Sequence, residues 1–246
     1  MSKNNKKKKN SNYQTEKREA ERVAKEAEAL LAKRKKLIKA IAIPAVAVVL
    51  VAAIVIGIGA GFFGWFAPRY TTTHKATIIV EDYGTIEVDL YGEEAPLAVE
   101  NFAKLANDGY YDGTYFHRIM DDFMIQGGDG DGTPDGISTD ALTPIKGEFS
   151  ANKVYTNNVK HERGTISMAR LSTSMDSATS QFFIVHKTSA SNTEALDGNY
   201  AAFGMVTSGM NIVDKICKDV EEGANGAVAK ADMPRILAIS VKAIEE

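Results

Sequence analysis

The stretch Phe-His-Arg-Ile-Met-Asp-Asp-Phe-Met-Ile-Gln-Gly-Gly-Asp occupies residues 116–129 and sets one arginine among apolar side chains, with two glycines near its end. The acidic pair in its middle and the glycine pair predict two short strands, at residues 115–119 and 123–126, joined by a turn. Arg118 is a permanent cation with several hydrogen-bond donors. Its apolar neighbours would allow it to remain charged at the mouth of an apolar pocket, and no nucleophile stands beside it. The pattern favours a conformational reaction over a covalent one.

Similar short β-rich runs recur on both sides of this stretch, from residue 76 to the end of the chain. Ala98, Phe102 and Leu105 share one face of a predicted helix that ends near Gly109. Many short strands with only two helices predict a mainly β domain, a closed antiparallel barrel capped by the helices. Strands are predicted at 76–81, 84–91, 115–119, 123–126, 165–170, 181–186, 201–206 and 235–244, and helices at 96–108 and 211–218.

Charge divides the chain into a basic arm and an acidic body. Residues 1–40 carry 14 Lys and Arg against 5 Glu, and residues 41–246 carry 15 Lys and Arg against 27 Asp and Glu. Residues 14–39 predict a charged, partly helical arm. An acidic body is unsuited to phosphate contacts, so no nucleic-acid partner is expected for it.

An uncharged apolar segment follows the arm. Residues 41–66 would span about 39 Å as a helix, against about 30 Å of bilayer hydrocarbon. Trp65 and Phe66 stand at its far edge, where interfacial aromatic residues are common. The segment therefore predicts a single transmembrane helix and a lipid bilayer as partner. A linker would cover residues 67–75, and a globular domain residues 76–246.

A cleaved signal peptide is the competing interpretation of the same segment. Signal peptides have a shorter apolar region of about 7–15 residues and a shorter basic region. An uncleaved anchor therefore fits better. Because positive residues remain on the cytoplasmic side, we expect the arm in the cytoplasm and the globular domain outside the cell membrane.

Other chemistries have little support from the chain. Cys217 is the single cysteine and is interpreted as a small buried residue. Ser150 and Lys153 match S-x-x-K, but the partner motifs of penicillin-interacting enzymes are absent. The loop at 131–136 departs from a calcium-binding pattern. The four histidines are His74, His117, His161 and His186. Their spacing matches no metal-ligand pattern, so no metal or cofactor is predicted.

Four motifs in order carry a family resemblance. Residues 116–129 closely resemble the signature of cyclophilin-type peptidyl-prolyl cis–trans isomerases. Residues 164–170 (Gly-Thr-Ile-Ser-Met-Ala-Arg), 180–184 (Ser-Gln-Phe-Phe-Ile) and 196–204 (Leu-Asp-Gly-Asn-Tyr-Ala-Ala-Phe-Gly) also resemble that family. The resemblance runs from about residue 76 to 244. It implies an eight-stranded antiparallel barrel with two capping helices, in agreement with the strand pattern.

The resemblance also implies roles for individual residues. Arg118 would be the catalytic arginine, in a catalytic set with Phe123 and Gln126. The proline pocket and the flanking peptide would be held by further substrate-binding residues: His117, Met124, Ala169, Arg170, Gln181, Phe183, Leu196 and Tyr200.

Two positions depart from common family members. Ala195 stands where many members have a tryptophan that also contacts cyclosporin, which argues against binding of that drug. Tyr200 replaces a histidine that is common in eukaryotic members, although its ring could still wall the pocket. This tyrosine and the Met-Ala-Arg sequence at 168–170 resemble the bacterial branch.

The predicted function is isomerisation of X-Pro bonds in proline-containing polypeptides outside the membrane, as an aid to their folding. The alternative is a membrane-tethered chaperone that binds proline-containing peptides without essential turnover. A pure binder would not need Arg118, so the arginine favours catalysis.

Overall fold

Eight strands and two α-helices follow one another in the computed structural model, which describes residues 70–130, 142–189 and 195–245. Every predicted strand and helix is present, with ends that differ from the prediction by at most two residues. The strands are β1 His74–Val80, β2 Gly84–Leu90, β3 Phe116–Met120, β4 Met124–Gly127, β5 Thr165–Met168, β6 Phe182–Val185, β7 Ala202–Ser208 and β8 Ile236–Ala243. The helices are α1 Pro96–Asn107 and α2 Met210–Asp219.

The strands form one antiparallel sheet in the order β3-β4-β6-β5-β7-β2-β1-β8. Alternate residues of β1 are buried, namely Ala76, Ile78 and Val80, as expected for a strand with one face on a core. Strand β6 lies between β4 and β5, so its two phenylalanines adjoin the hairpin that carries Arg118. The mainly β, antiparallel prediction is confirmed.

The prediction of a closed barrel is wrong, because β3 and β8 are the two edges of a curled half-barrel. Among the described residues, the chain near the start of β3 is hydrogen-bonded to the chain near the start of β8, for example through Phe116 N and the carbonyl oxygen of Pro234 over 2.9 Å. Farther along, the backbone of β3 pairs with a different segment. Val228 N donates to His117 O over 3.1 Å, and Arg118 and Ala227 form an isolated antiparallel β-bridge. Within the described residues, β3 is thus paired at this point with residues 227–228 and not with β8, so the ladder does not close.

The main core is built around aromatic rings inside the half-barrel. Phe182 of β6 lies edge-on to Phe102 of α1, with ring centroids 5.3 Å apart, and to Tyr111, with centroids 5.7 Å apart. Phe203 of β7 also contacts Phe102, at 5.3 Å. All four side chains are fully buried. They tie the helix and the sheet together.

Helix α1 has the predicted buried face and a cap that comes from far along the chain. Pro96 begins the helix, and no side chain near its N-terminus caps it. Instead, the buried carboxylate of Glu148 accepts hydrogen bonds from the N–H groups of Leu97 (3.0 Å) and Ala98 (2.9 Å). These are two of the N–H groups that a helix leaves without internal partners. Burial raises the pKa of Glu148, which these two bonds oppose.

Predictions for the N-terminal arm at 1–40 and the membrane-spanning helix at 41–66 lie outside the described residues. Within the described part, no helix has the length and apolarity required to traverse a bilayer.

Candidate active site

The hairpin of β3 and β4 positions the central arginine. Arg118 lies opposite Gln126 in the strand register, and the register shifts between Phe116 and Arg118. As a result, Phe116 and Ile119 are both buried in the main core, whereas Arg118 is half-buried. A bulge of this kind re-aims a side chain without ending the strand.

Three contacts hold the guanidinium of Arg118. Its Nε donates to the carbonyl oxygen of Asn225 over 2.9 Å, and its Nη1 donates to Oε1 of Gln126 over 3.3 Å. Its Nη2 lies 3.2 Å from Sδ of Met120. Burial lowers the pKa of Arg118, while Tyr200 acts in the opposite direction. Because a guanidinium has five N–H groups, two remain for a ligand.

A row of polar side chains continues from the arginine across the neighbouring strands. Nε2 of Gln126 donates to Oε1 of Gln181 over 2.9 Å, and Nε2 of Gln181 lies 3.4 Å from Oδ2 of Asp129. The backbone N–H of Ala169 donates to the carbonyl oxygen of Gln181 over 2.9 Å. This row connects Arg118 with the segment at 169–170 that was predicted to hold peptide.

A second apolar cluster lies beside this row and is separate from the main core. We call it the site cluster. Its Met120 contacts the Arg118 guanidinium, so the cluster and the cation adjoin. The buried members are Met124, Phe183, Val185 and Leu196, and the partly buried ones are Met120, Phe123, Ala169 and Tyr200.

Aromatic contacts order one side of the site cluster. The rings of Phe183 and Tyr200 meet edge to face, with centroids 5.9 Å apart. The guanidinium of Arg170 lies 4.5 Å from the centroid of the Tyr200 ring, in a cation–π contact. Nε of Arg170 also donates to the carbonyl oxygen of Asn199 over 2.9 Å. Tyr200 is thereby held between Phe183 and Arg170.

A buried histidine supports Phe183 from behind. The ring of His161 is stacked on that of Phe183, with centroids 6.0 Å apart. Nδ1 of His161 lies 3.1 Å from Oδ1 of Asp197, and its Nε2 lies 3.0 Å from Oγ of Ser167. Burial lowers the pKa of His161, while the contact with Asp197 works in the opposite direction. The hydrogen bonds on both nitrogens fix the orientation of the ring.

Two other positions from the sequence analysis lie apart from these contacts. His117 precedes Arg118 on β3 and is 2% exposed, and its carbonyl oxygen accepts the backbone bond from Val228. Ala195 is exposed next to Leu196 of the site cluster. The other predicted residues either join the site cluster or contact it through hydrogen bonds and ring contacts.

Several residues that shape the site were not predicted. Asn225 supplies a carbonyl oxygen to Arg118 from 107 positions away, and a backbone atom leaves little trace in sequence. Val185 ends the apolar run at 182–185, and its burial could have been inferred from that run. His161 was considered only as a metal ligand, although its buried contacts orient Phe183.

Comparisons with known proteins agree with this geometry. A sequence model of the family described as cyclophilin type peptidyl-prolyl cis-trans isomerase/CLD matches residues 75–241. A peptidyl-prolyl cis-trans isomerase of Acinetobacter baylyi is 40% identical over 164 residues, which is 65% of this chain and 82% of the relative. Peptidyl-prolyl cis-trans isomerase B of Bacillus subtilis is 41% identical over 152 residues, 62% of this chain and 92% of the relative.

Solved structures give the same result. A crystal structure of a cyclophilin-type isomerase from Cryptosporidium parvum, determined in the presence of the dipeptide Ala-Pro, aligns with a TM-score of 0.57 and 28% identity. The alignment covers 68% of this chain and 98% of that one. Fold, motifs and relatives coincide over the same region, and the chain therefore belongs to the cyclophilin-type peptidyl-prolyl cis–trans isomerases, a family of enzymes.

Proposed function

We propose that this enzyme accelerates rotation about X-Pro bonds in polypeptides outside the cell membrane, with Arg118 as the catalytic cation, and so aids their folding. The observation that carries the proposal is the position of Arg118. Its guanidinium is held by Asn225 and Gln126 and contacts the site cluster through Met120. A cation fixed beside an apolar surface is suited to an X-Pro unit, whose proline ring is apolar and whose amide is polar.

The reaction needs a particular kind of stabilisation. Amide resonance gives X-Pro rotation a barrier of about 18–20 kcal/mol, with uncatalysed exchange over tens to hundreds of seconds. Exchange in milliseconds requires about five decades of acceleration, or roughly 7 kcal/mol. No bond is broken, so the enzyme has to bind the twisted amide more tightly than either planar form.

Arg118 can supply that difference. As the bond twists, the prolyl nitrogen loses conjugation and becomes a better hydrogen-bond acceptor. A donor aimed at this nitrogen binds the twisted state more tightly than the planar states. Because Asn225 and Gln126 already hold the guanidinium, little reorganisation is required during the reaction.

The remaining side chains would hold the substrate on both sides of the rotating bond. The site cluster would bind the proline ring and exclude water that would weaken the field of the cation. Gln181 and the backbone at 169–170 would hold the flanking peptide. The Ala-Pro dipeptide present with the Cryptosporidium parvum relative supports an X-Pro unit as the ligand. Because Ala195 stands in place of an aromatic side chain that would contact cyclosporin, we expect this enzyme to bind the drug weakly, if it binds the drug at all.

A proline-peptide isomerase assay on the full-length chain, purified in detergent, tests the proposal. We expect Arg118→Ala to lower kcat/KM at least about 100-fold, as expected for removal of a donor to developing charge. Arg235→Ala is the matched control because it removes the same charge from an exposed position outside the site. Near-full activity of Arg118→Ala would remove this residue from the mechanism.

We also propose that residues 41–66 anchor the enzyme in the cell membrane with residues 1–40 in the cytoplasm. The apolar length of the segment and the basic arm before it support this topology. The Met-Ala-Arg sequence at 168–170, together with the Acinetobacter and Bacillus relatives, supports the bacterial branch. Protease added to intact cells should digest the isomerase domain and spare a short membrane-bound fragment. A fully protected domain would contradict this topology.

A further inference from the structure

Three side chains with metal-binding atoms converge beside the site cluster, since Asp121 and His186 directly follow its members Met120 and Val185. Asp121 follows β3, His186 follows β6 and Cys217 lies in α2. One ligand atom from each lies within 4.8 Å of those of the other two. Because they belong to three separate elements, their spacing along the chain contains no metal motif.

Cys217 is a buried side chain of the main core, and its sulfur forms no disulfide. It is 6% exposed and has no hydrogen-bond partner among the described residues. Burial raises the pKa of the Cys217 thiol to about 12, so the thiol is a poor nucleophile. Its sulfur would suit a soft or borderline cation, whose binding would displace the thiol proton.

His186 has the surroundings of a metal-bound histidine. Its Nε2 lies 2.9 Å from Oδ1 of Asp214, which accepts hydrogen bonds from Nη2 of Arg163 over 2.7 and 2.9 Å. A carboxylate behind the histidine is the usual support for a metal-binding imidazole, because it leaves the lone pair on the other nitrogen. That nitrogen, Nδ1, faces the carbonyl oxygen and the carboxylate of Asp121. The carbonyl oxygen lies within hydrogen-bond distance of Nδ1, so a metal ion bound to Nδ1 would have to displace the hydrogen bond between them.

Asp121 provides an oxygen and an entry from solvent. Its Oδ1 lies 3.5 Å from Nδ1 of His186, and its side chain is half exposed. Its Oδ2 lies 3.1 Å from Nζ of Lys187, which also contacts Asp122 at 3.3 Å. Oδ1 would therefore exchange its contact with His186 for an ion, while Oδ2 remains on the lysine.

We propose that Asp121, His186 and Cys217 bind a divalent transition-metal ion of the Zn²⁺ class. Mixed thiolate, imidazole and carboxylate ligands suit this class, and water would complete four-coordination. Zinc bonds of about 2.0–2.3 Å place ligand atoms roughly 3.5 Å apart, so the cluster needs to contract by about 1 Å. Rotation of the exposed Asp121 side chain can supply much of that movement.

The ion would brace the turn that carries part of the site. Phe123 follows Asp121 by two residues, and its carbonyl oxygen accepts a hydrogen bond from His186 N over 2.8 Å. Coordination would tie this turn to β6 and α2. The expected effect of the metal is therefore greater thermal stability.

Cobalt provides a direct test because a cysteine–Co²⁺ bond gives a near-ultraviolet charge-transfer band. The chelator-treated full-length chain, purified in detergent, should develop this band at one equivalent of Co²⁺ and lose it when Zn²⁺ is added. Zn²⁺ should also raise Tm. Cys217→Ser should abolish both effects.

Asp214→Asn and Asp121→Asn serve as further variants. Asp214→Asn leaves all three ligands in place but removes the support of His186, so we expect metal affinity to fall about 10–100-fold. Asp121→Asn, a change at an exposed side chain, should also weaken metal affinity. If Cys217→Ser does not fold, the metal affinity of Asp121→Asn tests the proposal in its place. His74→Gln on β1 is the matched control and should bind as the unaltered chain does.

Three results would overturn the proposal: absence of the sulfur–cobalt band at millimolar Co²⁺, its persistence in Cys217→Ser, or unchanged affinity in both Asp214→Asn and Asp121→Asn. Any of these would show that the three side chains do not form a metal site.

Discussion

Nη1 of Arg118 donates to Oε1 of Gln126 over 3.3 Å, directly across the β3–β4 hairpin. The amide of Gln126 then donates to Gln181 over 2.9 Å. This neutral side chain thus helps to orient the cation without neutralising it and links it to Gln181.

Gln126→Glu should separate these two roles. A carboxylate would pair with Arg118, reduce its field at the prolyl nitrogen and lose the donor to Gln181. We expect kcat/KM to fall about tenfold or more, as for a positioned electrostatic group. The measurement is the proline-peptide assay, with circular dichroism as the check on folding. Activity within twofold of the unaltered enzyme would show that the neutrality of this side chain is unimportant.

Substitutions of the two adjacent phenylalanines on β6 should affect different properties, stability in one case and activity in the other. Phe182 is in the main core, and Phe182→Ala should reduce the free energy of unfolding by about 3–5 kcal/mol. Phe183 is in the site cluster, and the milder Phe183→Leu should chiefly reduce kcat/KM. Thermal unfolding and the isomerase assay on both variants make the comparison. A larger loss of stability in Phe183→Leu than in Phe182→Ala would contradict the division into two clusters.

Acid should destabilise the domain through His161. Burial lowers the pKa of His161 below its ordinary 6.5, so the unfolded chain binds the proton more readily than the folded one. The stability associated with neutral His161 is therefore present above 6.5 and is lost as the pH falls through that value towards the folded pKa. Tm measured between about pH 7.5 and pH 5 should fall less steeply in His161→Gln than in the unaltered chain. Equal slopes would exclude His161 as the titrating group.

Glu148 should contribute to stability as the distant cap of α1. Glu148→Gln retains one acceptor but turns an amide N–H towards a backbone N–H, so either Leu97 or Ala98 loses its partner. The expected loss in the free energy of unfolding is about 1–3 kcal/mol. Thermal unfolding of Glu148→Gln beside the exposed control Glu100→Gln measures it. A loss no greater than that of the control would show that water satisfies these groups equally well.

Local signals were sufficient for the strands and helices. Alternation in residues 76–80 and the apolar face of residues 96–107 each depend on near neighbours, so sequence alone revealed them. Closure of the sheet depends on where residues 227–228 contact β3, which no local pattern encodes. The wrong prediction of a closed barrel follows from that difference.

In the site, too, local features could be predicted from the sequence and distant contacts could not. The neighbours of Arg118 on its hairpin were visible in the motif, whereas the carbonyl oxygen of Asn225 belongs to a distant turn. That residue has a positive φ of 57°, a conformation that asparagine tolerates better than most residues. The stacking of His161 on Phe183 likewise depends on tertiary packing.

The central claim is that the Arg118 guanidinium binds the twisted amide more tightly than the planar one. NMR exchange measurements on an X-Pro peptide bound to the full-length enzyme give the on-enzyme interconversion rate and the peptide Kd separately. For Arg118→Lys, which keeps the charge but loses the planar fork, we predict a rate at least about tenfold lower with Kd within about threefold of the unaltered enzyme. An unchanged rate with a weakened Kd would contradict the claim and leave Arg118 as a binding residue only.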